Sequence, residues 1–155
     1  DLAITRSAPR PEPLADARMR EVRHDSRDSR DKAPFGAVPA GEAVSFAIAA
    51  PDAVERVTLV VETRSLEGNQ DTIAYSALDR IEMVRDGEGR WTARRPFDAS
   101  GVYGYWFEVE LEGRRFVYQN NSAPIYWTRE RGANGLGVAT DVPSDPDRIR
   151  RFRLT

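Results

Sequence analysis

The stretch GVYGYWFEVELEGRRFVYQNN, Gly101 to Asn121, constrains the fold of this chain more than any other. Tyr103, Tyr105, Phe107, Val109 and Leu111 alternate with Gly104, Trp106, Glu108, Glu110 and Glu112, a period of two that marks a strand with one buried face. Glu112-Gly113 supplies the turn, because glycine accepts the positive φ that a tight hairpin loop needs. A two-residue turn then sets the register: Glu110 opposite Arg115, Val109 opposite Phe116 and Phe107 opposite Tyr118. Charges meet outside and apolar side chains inside, and a slip of one residue would mix the two faces.

Other segments supply partners for this hairpin. Val44, Phe46 and Ile48 alternate with Ser45, Ala47 and Ala49. After a turn at Pro51-Asp52, Val57, Leu59 and Val61 make a second strand. Thr72–Tyr75 reads as a short strand within the polar stretch Leu66–Ala77. Arg80–Arg85 and Arg90–Arg95 flank Asp86-Gly87-Glu88-Gly89 as a hairpin. Met19–His24 carries a weak edge-strand pattern, and Arg148–Leu154 closes the chain with Ile149, Phe152 and Leu154 among arginines. Residues 122–146 lose periodicity around Gly132, Gly135, Gly137, Pro143 and Pro146 and read as a long irregular excursion. No capped segment with helical period occurs. The expected fold is all-β, an antiparallel immunoglobulin-like β-sandwich of about seven to eight strands. The 155 residues divide into a flexible N-terminal arm, 1–18, with Pro9, Pro11 and Pro13, and a single sandwich domain, 19–155.

Composition narrows the function. A chain that is 40% hydrophobic and 31% charged is globular in type, and no run approaches a membrane span, so no membrane partner is expected. A net charge of −2 with arginines and acids interspersed leaves no basic stripe for nucleic acid. The first residues, DLAITRSAPRPEPL, lack the apolar core of a signal peptide. The absence of cysteine rules out disulfides and thiolate metal sites and fits a cytoplasmic or a secreted protein alike. Lys32 is the only lysine among 23 basic residues, which reads as coding bias.

Several groups invite a chemical reading. Glu108 and Glu110 lie about 6.7 Å apart on one strand face, near the carboxylate separation of inverting glycosidases. A catalytic pair needs a cleft and unlike surroundings, and Arg115 faces Glu110, so a solvated outer face is the preferred reading and no catalytic residue is assigned. Asp25, Asp28 and Asp31 offer oxygens to calcium, yet their spacing does not follow the calcium-loop pattern, and turn-stabilising carboxylates are preferred. No cofactor is expected. His24, the only histidine, is assigned a structural hydrogen bond at a strand end. Trp91 belongs to the core. Trp106 falls on the outer face beside Gly104, where it is either covered by protein or presents a platform on which a sugar ring stacks. Tyr126 and Trp127 are carbohydrate or interface candidates of the same kind.

HDSRD at 24–28, APFGAVPAGEAVSFAI at 33–48, GVYGYWFEVE at 101–110 and RFRLT at 151–155 occur in that order. This combination resembles the N-terminal immunoglobulin-like, carbohydrate-binding-module-like domain of the neopullulanase, cyclomaltodextrinase and pullulanase branch of the α-amylase family. The resemblance spans about His24 to Thr155. It implies a non-catalytic module of an α-glucan-degrading enzyme whose catalytic residues lie in a barrel that begins soon after a strand like Arg151–Thr155. It further implies packing on that barrel, contacts with a partner subunit, or binding of starch-like α-glucan. The bare strand pattern also allows a free-standing immunoglobulin-like adhesion or interaction domain, and Glu108 with Glu110 allow a small β-sandwich hydrolase. A following run of alternating strands and helices would separate these readings.

Overall fold

The computed structural model describes residues 21–34, 38–67, 72–99, 101–120, 137–145 and 149–154, with the backbone alone described at 64–67, 72–75 and 153. Ten strands follow in chain order: β1 (Lys32–Ala33), β2 (Ala43–Ala49), β3 (Val54–Glu67), β4 (Thr72–Glu82), β5 (Val84–Arg85), β6 (Arg90–Pro96), β7 (Tyr103–Leu111), β8 (Arg114–Asn120), β9 (Gly137–Asp141) and β10 (Phe152–Leu154). They form two antiparallel sheets, β1-β2-β6-β5 and β4-β3-β7-β8-β9, and β10 pairs with β7 beyond the end of β8. The architecture is the expected antiparallel β-sandwich, and no α-helix occurs among the described residues.

The hairpin takes the register its alternation dictates. Phe107 lies opposite Tyr118, Val109 opposite Phe116 and Glu110 opposite Arg115. Glu112 and Gly113 have φ of 52° and 76°, the paired left-handed conformations whose twist matches a two-residue loop. β3 lines the other edge of β7 and sets Leu59 beside Phe107 and Val61 beside Tyr105. The inward residues of β3, β7 and β8 therefore share one face, and Val57, Leu59, Val61, Tyr105, Phe107, Val109, Phe116 and Tyr118 are buried between the sheets. Val44, Phe46, Ile48 and Trp91 close this core from the smaller sheet. Phe152 of β10 completes it, its ring stacked on Tyr105 and Tyr118 at centroid distances of 5.1 and 6.1 Å.

Where the structure departs from the sequence expectation, main-chain pairing or a change of sheet is the cause. β3 and β4 outrun the segments 57–61 and 72–75, pairing along 54–67 and 72–82 where polar side chains hide the period. A bulge at Val61/Glu62, which leaves Leu78 without an opposite residue, breaks the alternation further. Arg80–Arg85 is not one arm of a hairpin. Arg80–Glu82 ends β4 in the larger sheet, the chain crosses at buried Met83, and only Val84–Arg85 pairs with β6. Within 122–146, Gly137–Asp141 is a strand on the free edge of β8. Toward the N-terminus, Arg23 makes a single bridge with Ala49, and residues 1–18 lie outside the described residues.

Phe107 is fully buried, so Phe107→Ala should destabilise the fold by about 3–5 kcal/mol. Glu110→Ala, on the outer face, should cost less than about 1 kcal/mol. Urea denaturation of both variants checks the face assignment, which fails if their order is reversed.

Candidate functional site

Between its core positions β7 turns Gly104, Trp106, Glu108 and Glu110 away from the smaller sheet. The outward placement of Trp106 holds, but its ring is not left open. Trp106 is 8% exposed and packs with Val60 of β3, Val117 of β8 and Ile149. Ile149 belongs to the segment that precedes β10, and backbone bonds fasten this segment to β8. The Asn120 N–H donates to the Arg150 carbonyl at 2.7 Å, and the Arg150 N–H donates to Gln119 Oε1 at 2.7 Å. Gln119 Nε2 in turn donates to Thr140 Oγ1 of β9 at 2.9 Å.

The polar edge of the indole is also engaged. Trp106 Nε1 donates to Glu62 Oε1 at 3.0 Å, and the same oxygen accepts from Arg151 Nε at 2.8 Å. Arg151 donates as well to the Ile149 carbonyl at 2.8 Å. The Arg151 and Glu62 side chains are 5% and 12% exposed, so the pair is buried, and its desolvation cost is offset only because its hydrogen bonds are made. This arrangement fastens chain to sheet; it holds no reactive group in a cleft.

Glu108 and Glu110 lie farther along the same face. Glu108 pairs with Arg80. Glu110 is 3.5 Å from Arg56, which also reaches Glu82 at 3.3 Å. Arg115 faces Glu110 across the hairpin, but Arg56 makes the ion pair. Each carboxylate is thus answered by an arginine. A depression of about 490 Å³ lined by Ser45, Thr92 and Arg94, and a small one of about 20 Å³ lined by Phe97, Tyr103 and Leu154, contain neither glutamate.

Asp25, Asp28 and Asp31 build the turn that leads into β1. Asp25 Oδ1 accepts the Arg27 N–H at 2.9 Å, Asp28 Oδ1 the Arg30 N–H at 3.0 Å, and Asp31 Oδ2 the Asp25 N–H at 2.9 Å. Hydrogen bonding to Arg30 holds the Asp28 carboxyl down, at about 2. Burial pushes Asp31 up, although Arg90 pairs with it. These oxygens are spent on amides and guanidiniums, and among the described residues no group of three or more His, Asp and Glu is placed to hold a metal ion.

His24 proves to be more than a strand-end residue. It is fully buried, with Nδ1 2.7 Å from the Ala47 carbonyl and Nε2 3.0 Å from the Tyr105 hydroxyl. A carbonyl oxygen can only accept, so Nδ1 carries the proton and Nε2 accepts from Tyr105. The Tyr118 hydroxyl accepts the His24 N–H at 2.8 Å and the Gly137 N–H at 3.2 Å, and donates to the His24 carbonyl at 3.0 Å. Gly137 is required there, since a Cβ would lie 2.1 Å from the Tyr118 ring. Burial dominates the titration of all three side chains: His24 is lowered to about 4, Tyr118 raised to about 12 and Tyr105 raised well above its ordinary value. Tyr105 and Tyr118 were legible as core positions, but their hydroxyl partners lie 81 and 94 residues away and leave no local signal. Tyr126 and Trp127 lie outside the described residues.

Neither the models of known protein families nor the curated proteins give a match to this chain. Among solved structures it is similar to part of a mutant pullulanase from Paenibacillus barengoltzii complexed with maltotetraose, at 21% identity, 84% coverage of this chain and a TM-score of 0.42. The chain spans 17% of the length of that protein's chain.

Arg151→Ala leaves Glu62 buried without its cation and should destabilise by about 3–5 kcal/mol. Replacing both, with Glu62→Gln and Arg151→Leu, keeps an acceptor for the Trp106 N–H and should recover most of that loss. Equilibrium denaturation of the wild type, both single variants and the double variant measures the coupling.

Proposed function

We propose that this chain is a non-catalytic β-sandwich module of an α-glucan-degrading glycoside hydrolase of the α-amylase family, which packs on its own catalytic barrel or on a partner subunit. The observation that carries this reading is the convergence of the sequence motifs on which the resemblance rests. His24 of the HDSRD segment bonds the carbonyl of Ala47 in β2. Its ring packs on Phe107 of the aromatic strand and Phe152 of RFRLT, at centroid distances of 4.7 and 5.0 Å. Residues far apart in the chain are thus constrained by one another, and the motif order reflects a single packed unit rather than a run of similar composition.

Two features favour protein packing over sugar stacking at Trp106. Ile149 covers the ring, and Glu62 occupies the indole N–H. In this reading Trp106 serves an interface indirectly, by seating residues 149–151 on the sheet. Tyr126 and Trp127 are the remaining candidates for carbohydrate or partner contact. The arginine-answered glutamates support a module without hydrolytic chemistry of its own.

The isolated domain should therefore release no reducing sugar from starch, pullulan or cyclodextrin. Turnover above a buffer blank that Glu108→Gln or Glu110→Gln removes would overturn the reading. Calorimetric titration with maltoheptaose should give the same trace for the wild type and for folded Trp106→Ala. Millimolar or tighter binding that this substitution abolishes would instead make Trp106 a sugar platform.

A further inference from the structure

Residues 21–33 cross the edge of β2 as an interrupted strand. Arg23 pairs with Ala49, the aspartate turn loops outward, and Lys32 and Ala33 rejoin the sheet opposite Phe46 and Ser45. Between these points the Ala47 N–H donates to the Asp31 carbonyl at 2.7 Å. His24 is the side chain that ties the middle of this strap to both sheets, through Ala47 on β2 and Tyr105 on β7. We propose that residues 21–33, β1 included, form an acid-released strap: protonation of His24 detaches it and uncovers the edge of β2, while the remaining strands of both sheets stay folded.

The neutral ring suits its surroundings and the cation does not. Nδ1 already donates to a carbonyl, so a second proton goes to Nε2 and points at the Tyr105 hydroxyl, which must then turn its own hydrogen away. The ring is enclosed by Tyr105, Phe107 and Phe152. Among the described residues no carboxylate bonds to it. On the strap itself the nearby charged groups are Arg23, Asp25, Asp28, Asp31 and Lys32, and from β6 comes Arg90. Asp31 is committed to the Asp25 amide and to Arg90, while Lys32 and Arg90 oppose a further positive charge. β7 and β8 contribute Tyr105 and Tyr118, both neutral because burial raises them; the Ala47 carbonyl, the Phe152 ring and the Gly137 amide add no titrating group.

The direction follows from the lowered value. Released, His24 takes its proton near the ordinary 6.5; strapped, it does so near 4. Between these values the open form binds more protons, so opening becomes more favourable as pH falls, by up to about tenfold per unit. From pH 7.5 to 4.5 the gain is roughly seventyfold. Asp31, raised by burial, works in the opposite sense, and Asp28, held at about 2, adds to release only below its ordinary 3.8. Opening is local because the strap is an edge element, whereas β3, β7 and β8 interlock at the centre of the larger sheet.

Hydrogen exchange on the whole chain tests this. Amides of residues 23–33, and those of Ala47 and Ala49 that bond to the strap, should lose protection roughly seventyfold between pH 7.5 and 4.5, after correction for intrinsic rates. Amides of β3 and β7 should keep theirs, and His24→Gln should flatten the strap's pH dependence. Because the chain has one histidine, its imidazole resonance needs no assignment and should titrate well below 6.5. Unchanged strap protection, parallel loss in strap and core, or an imidazole titrating near 6.5 would each overturn the proposal. If His24→Gln fails to fold, the wild-type exchange and titration decide alone.

Discussion

Strand β7 must be covered on both faces, and much of the structure follows from that requirement. Its inward residues meet the smaller sheet, as in any sandwich. Its outward face carries Trp106, and removing such a ring from water is worth about 2–3 kcal/mol only if something covers it. The smaller sheet is on the wrong side, so the chain itself supplies the cover. Residues 149–151 cross the outer face, Ile149 lies on the ring, and β10 then pairs with the end of β7 that β8 leaves free. The crossing brings Arg151 against Glu62, and the indole N–H completes the bonds of that buried carboxylate. Cover, ion pair and strand pairing depend on one another.

A second constraint is polar satisfaction inside the sandwich. Burying His24 among aromatic rings is tolerable because both ring nitrogens and both of its backbone groups have partners. Tyr118 serves two strands at once, binding the strap through His24 and β9 through Gly137. A side chain at residue 137 would enter the Tyr118 ring, so this one glycine decides whether β9 can dock. The same completeness makes the network sensitive to charge, since it has a place for every proton of the neutral imidazole and none for an additional one.

These two arrangements divide the surface into settled and open parts. The outer face of the larger sheet is covered at one end and laced with ion pairs at the other, where Arg56 and Arg80 reach Glu82, Glu108 and Glu110. The outer face of the smaller sheet differs, with small residues at Ser45 and Thr92, the exposed Val84, and Arg94 beside a broad depression.

The residues alone determined the fold class, the hairpin register and the inward face of β7, because each rests on a period of two that neighbouring residues express together. They also determined the roles of Asp25 and Asp28, each of which accepts the amide two residues on, since Asx geometry is local. Tertiary structure decided the rest. Whether Trp106 is open or covered depends on Ile149, 43 residues farther along the chain (149 − 106), and no local pattern encodes that meeting. The passage from β4 to β5 changes sheet at Met83 without disturbing the local alternation, so it looked like one continuous arm. β9 was hidden because a five-residue edge strand in a glycine-rich stretch draws its order from the backbone of β8 rather than from its own side chains. His24 became the tie between sheets only when Ala47, Tyr105 and Tyr118 closed around it. Periodicity is a property of neighbours in sequence, whereas cover, hydrogen-bond completion and change of sheet belong to neighbours in space.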